Sequence, residues 1–335
     1  EIDFDKWFNS PYYPTPTIIA AAVEAYSSHN LSEIAQSEAG QDNINQCEEK
    51  INAVIDYAKT NKKKCICFVT GVPGAGKTLV GLDVVAKSLG DKDNKPNAVY
   101  ISGNGPLVEV LREALKKSVN DSNKIKGIKL SSKEKSEINL SIEHLIESSF
   151  HFKKEYAAEV KITPENILLF DEAQRVWNQQ KMTAKHKNEP EMAVSEPHLL
   201  FSIMDRHKDW AVMVCLVGLG QDIYDGEVGI NEWFRCGIED FQDWEMFYSS
   251  AIFSQVEDKN IDRAMIENCS RCHEMTELHL KTSIRSFRAD KQCQFVDYLL
   301  DNNPQKTKEV YDLIKEKYPV YVTRDYEKAK AWVRG

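Results

Sequence analysis

The stretch CICFVTGVPGAGKTLVGLDVV, residues 65–85, constrains the fold of this chain more than any other. Residues 66–70 have the length and apolar character of a buried strand. Leu79, Leu82, Val85, Ala86 and Leu89 follow at helical spacing. Between the two, Gly71-Val-Pro-Gly-Ala-Gly-Lys77-Thr78 fits the pattern G-x-x-x-x-G-K-[ST] in the strand–turn–helix context that it requires. The glycines let the backbone turn its N–H groups inward around phosphate oxygens. A helix N-terminus adds partial positive charge. Lys77 is placed to neutralise the terminal phosphates, and the Thr78 hydroxyl to ligate Mg²⁺. The phosphate-holding set expected here is Gly71, Pro73, Gly74, Ala75, Gly76, Lys77, Thr78 and Leu79.

Around this loop the pattern of short apolar strand, turn and helix recurs. Residues 46–58 carry Ile51, Val54, Ile55 and Ala58 at helical spacing. Strands are expected at 98–101, 167–170 and 211–217, and the alternation of Leu278, Leu280 and Ile284 adds a half-buried one. Pro106 suits the first turn of a helix carrying Leu107, Val110, Leu111 and Ala114. Alternating strands and helices predict an α/β fold, a mostly parallel sheet with helices on both faces. Two stretches interrupt the rhythm. Residues 116–165 are lysine-rich, then helical from about Ser141 to Val160, and residues 178–197 read as a long polar loop.

Composition narrows the class. The 335 residues are 42% hydrophobic, and no stretch reaches the roughly 20 apolar residues that span a bilayer, so no membrane partner is expected. The acidic start, Glu1-Ile2-Asp3-Phe4-Asp5, does not read as a signal peptide, and the lack of an initial Met suggests a trimmed piece. Eight scattered cysteines, several inside apolar runs, read as reduced thiols of a cytoplasmic protein. Cys269-Ser-Arg-Cys272-His273 superficially matches half a zinc site. Its nearest further ligand is His279, and a surface loop with incidental thiols is the competing reading. A net charge of −9 counts against indiscriminate nucleic-acid binding and leaves room for a local basic groove, best placed at 116–135.

Three further constellations follow strands. Asp171-Glu172 closes the run Ile167–Phe170, where Asp171 can hold Mg²⁺ beside the phosphates and Glu172 can polarise an attacking water. Alone, such a pair also reads as a helix cap. Gln221, after Val217-Gly-Leu-Gly220, can hydrogen-bond a terminal phosphate or its water, and a solvated turn is the alternative. In Ser283-Ile-Arg285-Ser-Phe-Arg288, either arginine can stabilise charge on a transferred phosphoryl group.

Together these elements resemble a superfamily-one helicase core. The chain also resembles, more narrowly, a bacterial family of unknown function related to the helicase-like domain of long Schlafen proteins. YISGNGPLVEVLREAL (100–115), LLFDEAQRVWN (168–178), VGLGQDIYDGEVGINEW (217–233) and SIRSFRAD (283–290) carry that resemblance, with YPVYVTRDYEKAKAWVR (318–334) at the end. It implies a RecA-like P-loop core that binds ATP and Mg²⁺, with Lys77, Glu172, Gln221 and Arg285 as the catalytic set and Thr78 and Asp171 on the metal. Gln174 and Gln221 would couple nucleotide state to a nucleic-acid face, and the turn Ser102-Gly103-Asn104 would contact single-stranded DNA or RNA or else cap a helix. Gln46 is the candidate adenine reader, with Gln41 its rival.

The resulting expectation is a helical lead-in over 1–45, an ATPase domain over 46–290, and a linker with the start of a truncated second RecA-like domain over 291–335. Such a chain would bind ATP-Mg²⁺, hydrolyse it slowly and not unwind a duplex. The competing expectation is a nucleotide-gated switch that binds nucleic acid or recruits a protein effector. A ring-forming signalling ATPase is disfavoured by Gly220-Gln221 and Arg285-Ser286.

Overall fold

A computed structural model describes residues 22–23, 38–88, 97–125, 127–158, 160–218, 226–253, 262–282, 290–315 and 323–334. Two compact units divide the chain, Glu1–Arg285 and Ser286–Gly335.

Among its described residues the first unit has eight strands: β1 (Lys64–Gly71), β2 (Ala98–Ser102), β3 (Ile146–Ser148), β4 (Ile167–Asp171), β5 (Ala211–Gly218), β6 (Trp244–Tyr248), β7 (Cys272–Glu274) and β8 (His279–Leu280). All pair in parallel. Seven run in the order β3-β2-β4-β5-β1-β6-β7, and β8 pairs with the end of β1. Both parities of the central strands are apolar because helices cover both faces. On β1, Cys65, Cys67 and Val69 join the core on one face, and Ile66 and Phe68 join the core on the other.

The first face is covered by α1 (Glu38–Asn61), α2 (Lys77–Ser88), α3 (Gly105–Ile125) and α4 (Ser132–Leu145). From α2, the buried residues Val80, Leu82, Val84 and Val85 pack there, each apolar side chain of this size contributing about 1.5–3 kcal/mol when fully buried. The opposite face carries α5 (Ser149–Ala158), α6 (Gln179–Lys185), α7 (Glu196–Met204) and α8 (Asn231–Arg235), around the fully buried Trp233 and Trp244. A short α9 (Arg263–Glu267) precedes β7.

Two stretches differ from their sequence reading. Within the helix expected over 141–160, strand β3 separates α4 from α5, and Ile142 and Leu145, buried on α4, lead directly into it. The polar stretch 178–197 is ordered locally: Asn178 caps α6 by accepting from the Lys181 N–H, Met182 of α6 is buried, and so is Met192 in a 3-10 turn at Pro190–Met192. The second unit contains α10 (Asp290–Leu300), α11 (Pro304–Ile314) and α12 (Tyr326–Arg334). Phe295, Val310 and Ile314 form a small core of their own. Of the stretch 318–334 expected to open a further domain, residues 318–322 lie outside the described residues.

Candidate nucleotide-binding site

Parallel pairing brings the carboxyl ends of several strands to one edge. Gly71 lies opposite Gly218 and Leu280, and Ser102 lies opposite Asp171. Ligands of open α/β sheets bind at such an edge, near a reversal of strand order.

The loop from β1 to α2 is shaped by glycine. Gly74 and Gly76 have φ of 76° and 93°, a region that other residues avoid. The turn closes through Ala75 N–H to Val72 O (3.1 Å), and α2 begins with Val80 N–H to Gly76 O (3.0 Å). Ala75 and Leu79 are buried, whereas Pro73 is exposed. Lys77 lies back across the loop, its Nζ donating to Gly71 O at 2.9 Å and Val72 O at 3.4 Å. Thr78 Oγ1 faces Asp171 Oδ2 at 3.4 Å. A hydroxyl and a carboxylate at this edge are the hard oxygen donors that Mg²⁺ takes, so Thr78 and Asp171 fit that ion.

Asp171 ends β4, 5% exposed, and burial pushes its carboxyl up to about 6 although a hydrogen bond from Tyr100 opposes the shift. Its Oδ1 accepts from the Glu172 N–H at 3.1 Å and its Oδ2 from the Tyr100 hydroxyl at 2.5 Å. Burial first, and then the Asp171 charge, hold the Tyr100 phenol well above the usual tyrosine range, so it remains a donor. Glu172 is left-handed (φ 57°, ψ 44°) and makes no side-chain capping bond, which sets aside the helix-cap reading for its carboxylate.

Gln174 is buried, and both ends of its amide are bonded. Its Nε2 donates to Glu172 Oε2, and its Oε1 accepts from the Gly218 N–H at 2.8 Å, at the end of β5. Gln174 therefore links the candidate base to the strand that leads into Gly220-Gln221. Further along, the same turn is pinned by Trp233 Nε1 to Ala173 O (2.9 Å), Val228 N–H to Val176 O (3.0 Å) and Asn178 N–H to Gly226 O (2.9 Å). Beneath it lies the buried pair Lys153–Glu196, with Glu196 also accepting from the Trp177 N–H.

The other expected residues fall as follows. Gly220, Gln221, Arg285 and Arg288 lie outside the described residues. Gln46 is exposed on α1. In the turn after β2, Ser102 Oγ accepts from the Asn104 N–H and Asn104 Oδ1 from the Leu107 N–H, the bonds of a cap on α3. In the lysine-rich stretch, Lys116, Lys124 and Lys133 pair with neighbouring carboxylates. Cys272 and His273 lie on edge strand β7, where His273 Nε2 meets Glu245. Among the described residues no ligand set converges on Cys269–His273; the one cluster within ligand reach is Glu147 of β3 with His151 and Glu155 of α5.

Asn43 carries no signal in the sequence, and His279 takes a place in the structure other than that of a zinc ligand. Asn43 of α1 bonds the backbone of both His279 and Lys281, clamping β8 beside the loop. His279 meets Thr70 Oγ1 at 2.9 Å, and burial, followed by Lys281 and Lys77, lowers its basicity.

Residues 64–335 match the model of the Schlafen group 3 DNA/RNA helicase domain. The chain belongs to this family. Comparison with curated proteins finds no match. As a Schlafen group 3 domain, the chain has a parallel α/β sheet with a helicase family's architecture, and membership implies an NTPase that acts on nucleic acid. No helix among the described residues is long and apolar enough to cross a membrane.

Proposed function

We propose that this chain is an ATP-binding and ATP-hydrolysing motor domain whose turnover is stimulated by single-stranded DNA or RNA, acting in the cytoplasm. The observation that carries the reading is the bonded series from Thr78 through Asp171, Glu172 and Gln174 to the end of β5. In this reading the loop amides and Lys77 bind the phosphates. Thr78 and Asp171 hold Mg²⁺, which supplies charge neutralisation to the phosphates when bound. Glu172 accepts a proton from the attacking water, a role that contributes about 10²–10⁴-fold in rate. Gln174 passes the state of that centre to the segment after β5, where Gln221 and, from the segment after β8, Arg285 complete the set.

The test is ATP turnover with and without single-stranded DNA or RNA, beside nucleotide binding. Stimulated turnover that Lys77→Ala abolishes, together with nucleotide binding, is the expected result. Binding without stimulation would replace the motor by a nucleotide-gated switch. Full turnover in Lys77→Ala would remove the loop from the chemistry.

A further inference from the structure

Tyr100 lies outside the phosphate-loop motif and outside the Asp-Glu pair, in the middle of a strand whose other side chains are apolar or small. It is fully buried, yet it carries a hydroxyl where phenylalanine would fill the same space. A buried hydroxyl left unpaired is costly, and this one donates to a carboxylate. Strand pairing explains which. With Tyr100 opposite Leu169 and Ser102 opposite Asp171, Tyr100 and Asp171 share one face of the sheet, one step apart on the diagonal. The length of the phenol spans that step, and the hydroxyl meets Asp171 Oδ2 at 2.5 Å.

The consequence concerns the orientation of the carboxylate. Oδ1 is held by the Glu172 N–H and Oδ2 by Tyr100, so the plane of the group is fixed from both sides. Oδ2 is also the oxygen that faces Thr78 Oγ1. A phenol donating to a carboxylate makes a charge-assisted bond, stronger than one between neutral groups. Partners that orient a metal ligand from behind alter affinity without touching the metal.

We propose that Tyr100 is a positioning residue for the divalent cation, holding Asp171 so that Oδ2 is presented toward the Thr78 hydroxyl. This rests on reading the loop as a magnesium–nucleotide site and deepens it by adding a residue that the motif does not contain. A tyrosine that merely filled the core would leave metal affinity untouched when changed to phenylalanine.

Mn²⁺ binding to the protein with ADP, followed by the loss of the free-ion electron paramagnetic resonance signal, separates the two. Tyr100→Phe keeps the ring, and Tyr100→Met supplies a second apolar filler without a donor. Both are expected to weaken Mn²⁺ binding roughly 10-fold or more, while ADP affinity in EDTA, which reads the fold and the loop, stays within about twofold of wild type. Mn²⁺ affinity within about twofold of wild type in both variants would overturn the role of Tyr100 and leave the nucleotide site standing. A wild-type protein that binds no Mn²⁺ with ADP would overturn both.

Discussion

Glu172 occupies a left-handed conformation (φ 57°) that costs a side-chain-bearing residue roughly 1–2 kcal/mol. Its neighbours hold it there: the Arg175 N–H donates to its carbonyl at 2.9 Å, its own N–H is held by Asp171, and Gln174 grips its carboxylate. Gln174→Leu removes that grip and strands the buried Gly218 N–H, at a cost of about 1–3 kcal/mol. Under the proposed function, this variant retains ATP affinity and loses most of the stimulation by single-stranded nucleic acid. The ratio of stimulated to basal turnover measures the effect, and an unchanged ratio would show that Gln174 carries no coupling. Asp171 and Glu172 could be picked out in the sequence because the phosphate loop beside them lifts the pair above its common reading as a helix cap. Tyr100 could not, since a tyrosine inside AVYIS reads as core and its carboxylate partner is 71 residues away. Asn43 was equally hidden, because the chain segment that it clamps lies more than 200 residues later.

Between elements, α1 and α2 meet through a buried charged cluster. Lys87 reaches Glu48 at 3.0 Å and also pairs with Asp83, which is wholly buried. Burial first, and then the charge of Asp83, push the Glu48 carboxyl up to about 8 although Lys87 opposes the shift. The folded protein therefore keeps a proton that the unfolded chain, titrating near 4.5, has released at neutral pH. The stability tied to that proton is fully present below about pH 4.5 and is lost as pH rises through about 8. Thermal melts between pH 6 and 9 should show the midpoint falling in wild type and a shallower fall in Glu48→Gln; equal slopes would remove Glu48 from the effect. Most elements around this cluster follow from apolar periodicity, as with the strands over 98–102, 167–171 and 211–218. Strand β3 does not. Three residues between two helices leave no periodicity to read, and their extended backbone is set by pairing with β2. The same holds for α6, whose polar turns are fixed by the Asn178 cap and by Met182 entering the core.

Across the whole first unit, parallel pairing does for the site what no local pattern can. It gathers Gly71, Ser102, Asp171, Gly218 and Leu280, distant in sequence, at one edge of a sheet covered on both faces. The fold class follows from the alternation of strands and helices together with the loop motif. The register that aligns Tyr100 with Asp171, and the ties from 226–228 back to 176–178, depend on long-range pairing and emerge only in three dimensions. Membership in a DNA/RNA helicase domain family implies an NTPase that acts on nucleic acid. The proposed function depends most on Glu172 as the group that activates water at this edge. Glu172→Gln preserves shape and hydrogen bonding while removing the base. Measured in the presence of single-stranded nucleic acid and Mg²⁺, it should bind ATP as tightly as wild type and turn it over about 10²-fold more slowly or worse. Turnover at the wild-type rate in Glu172→Gln would contradict the assignment of this edge as the catalytic centre.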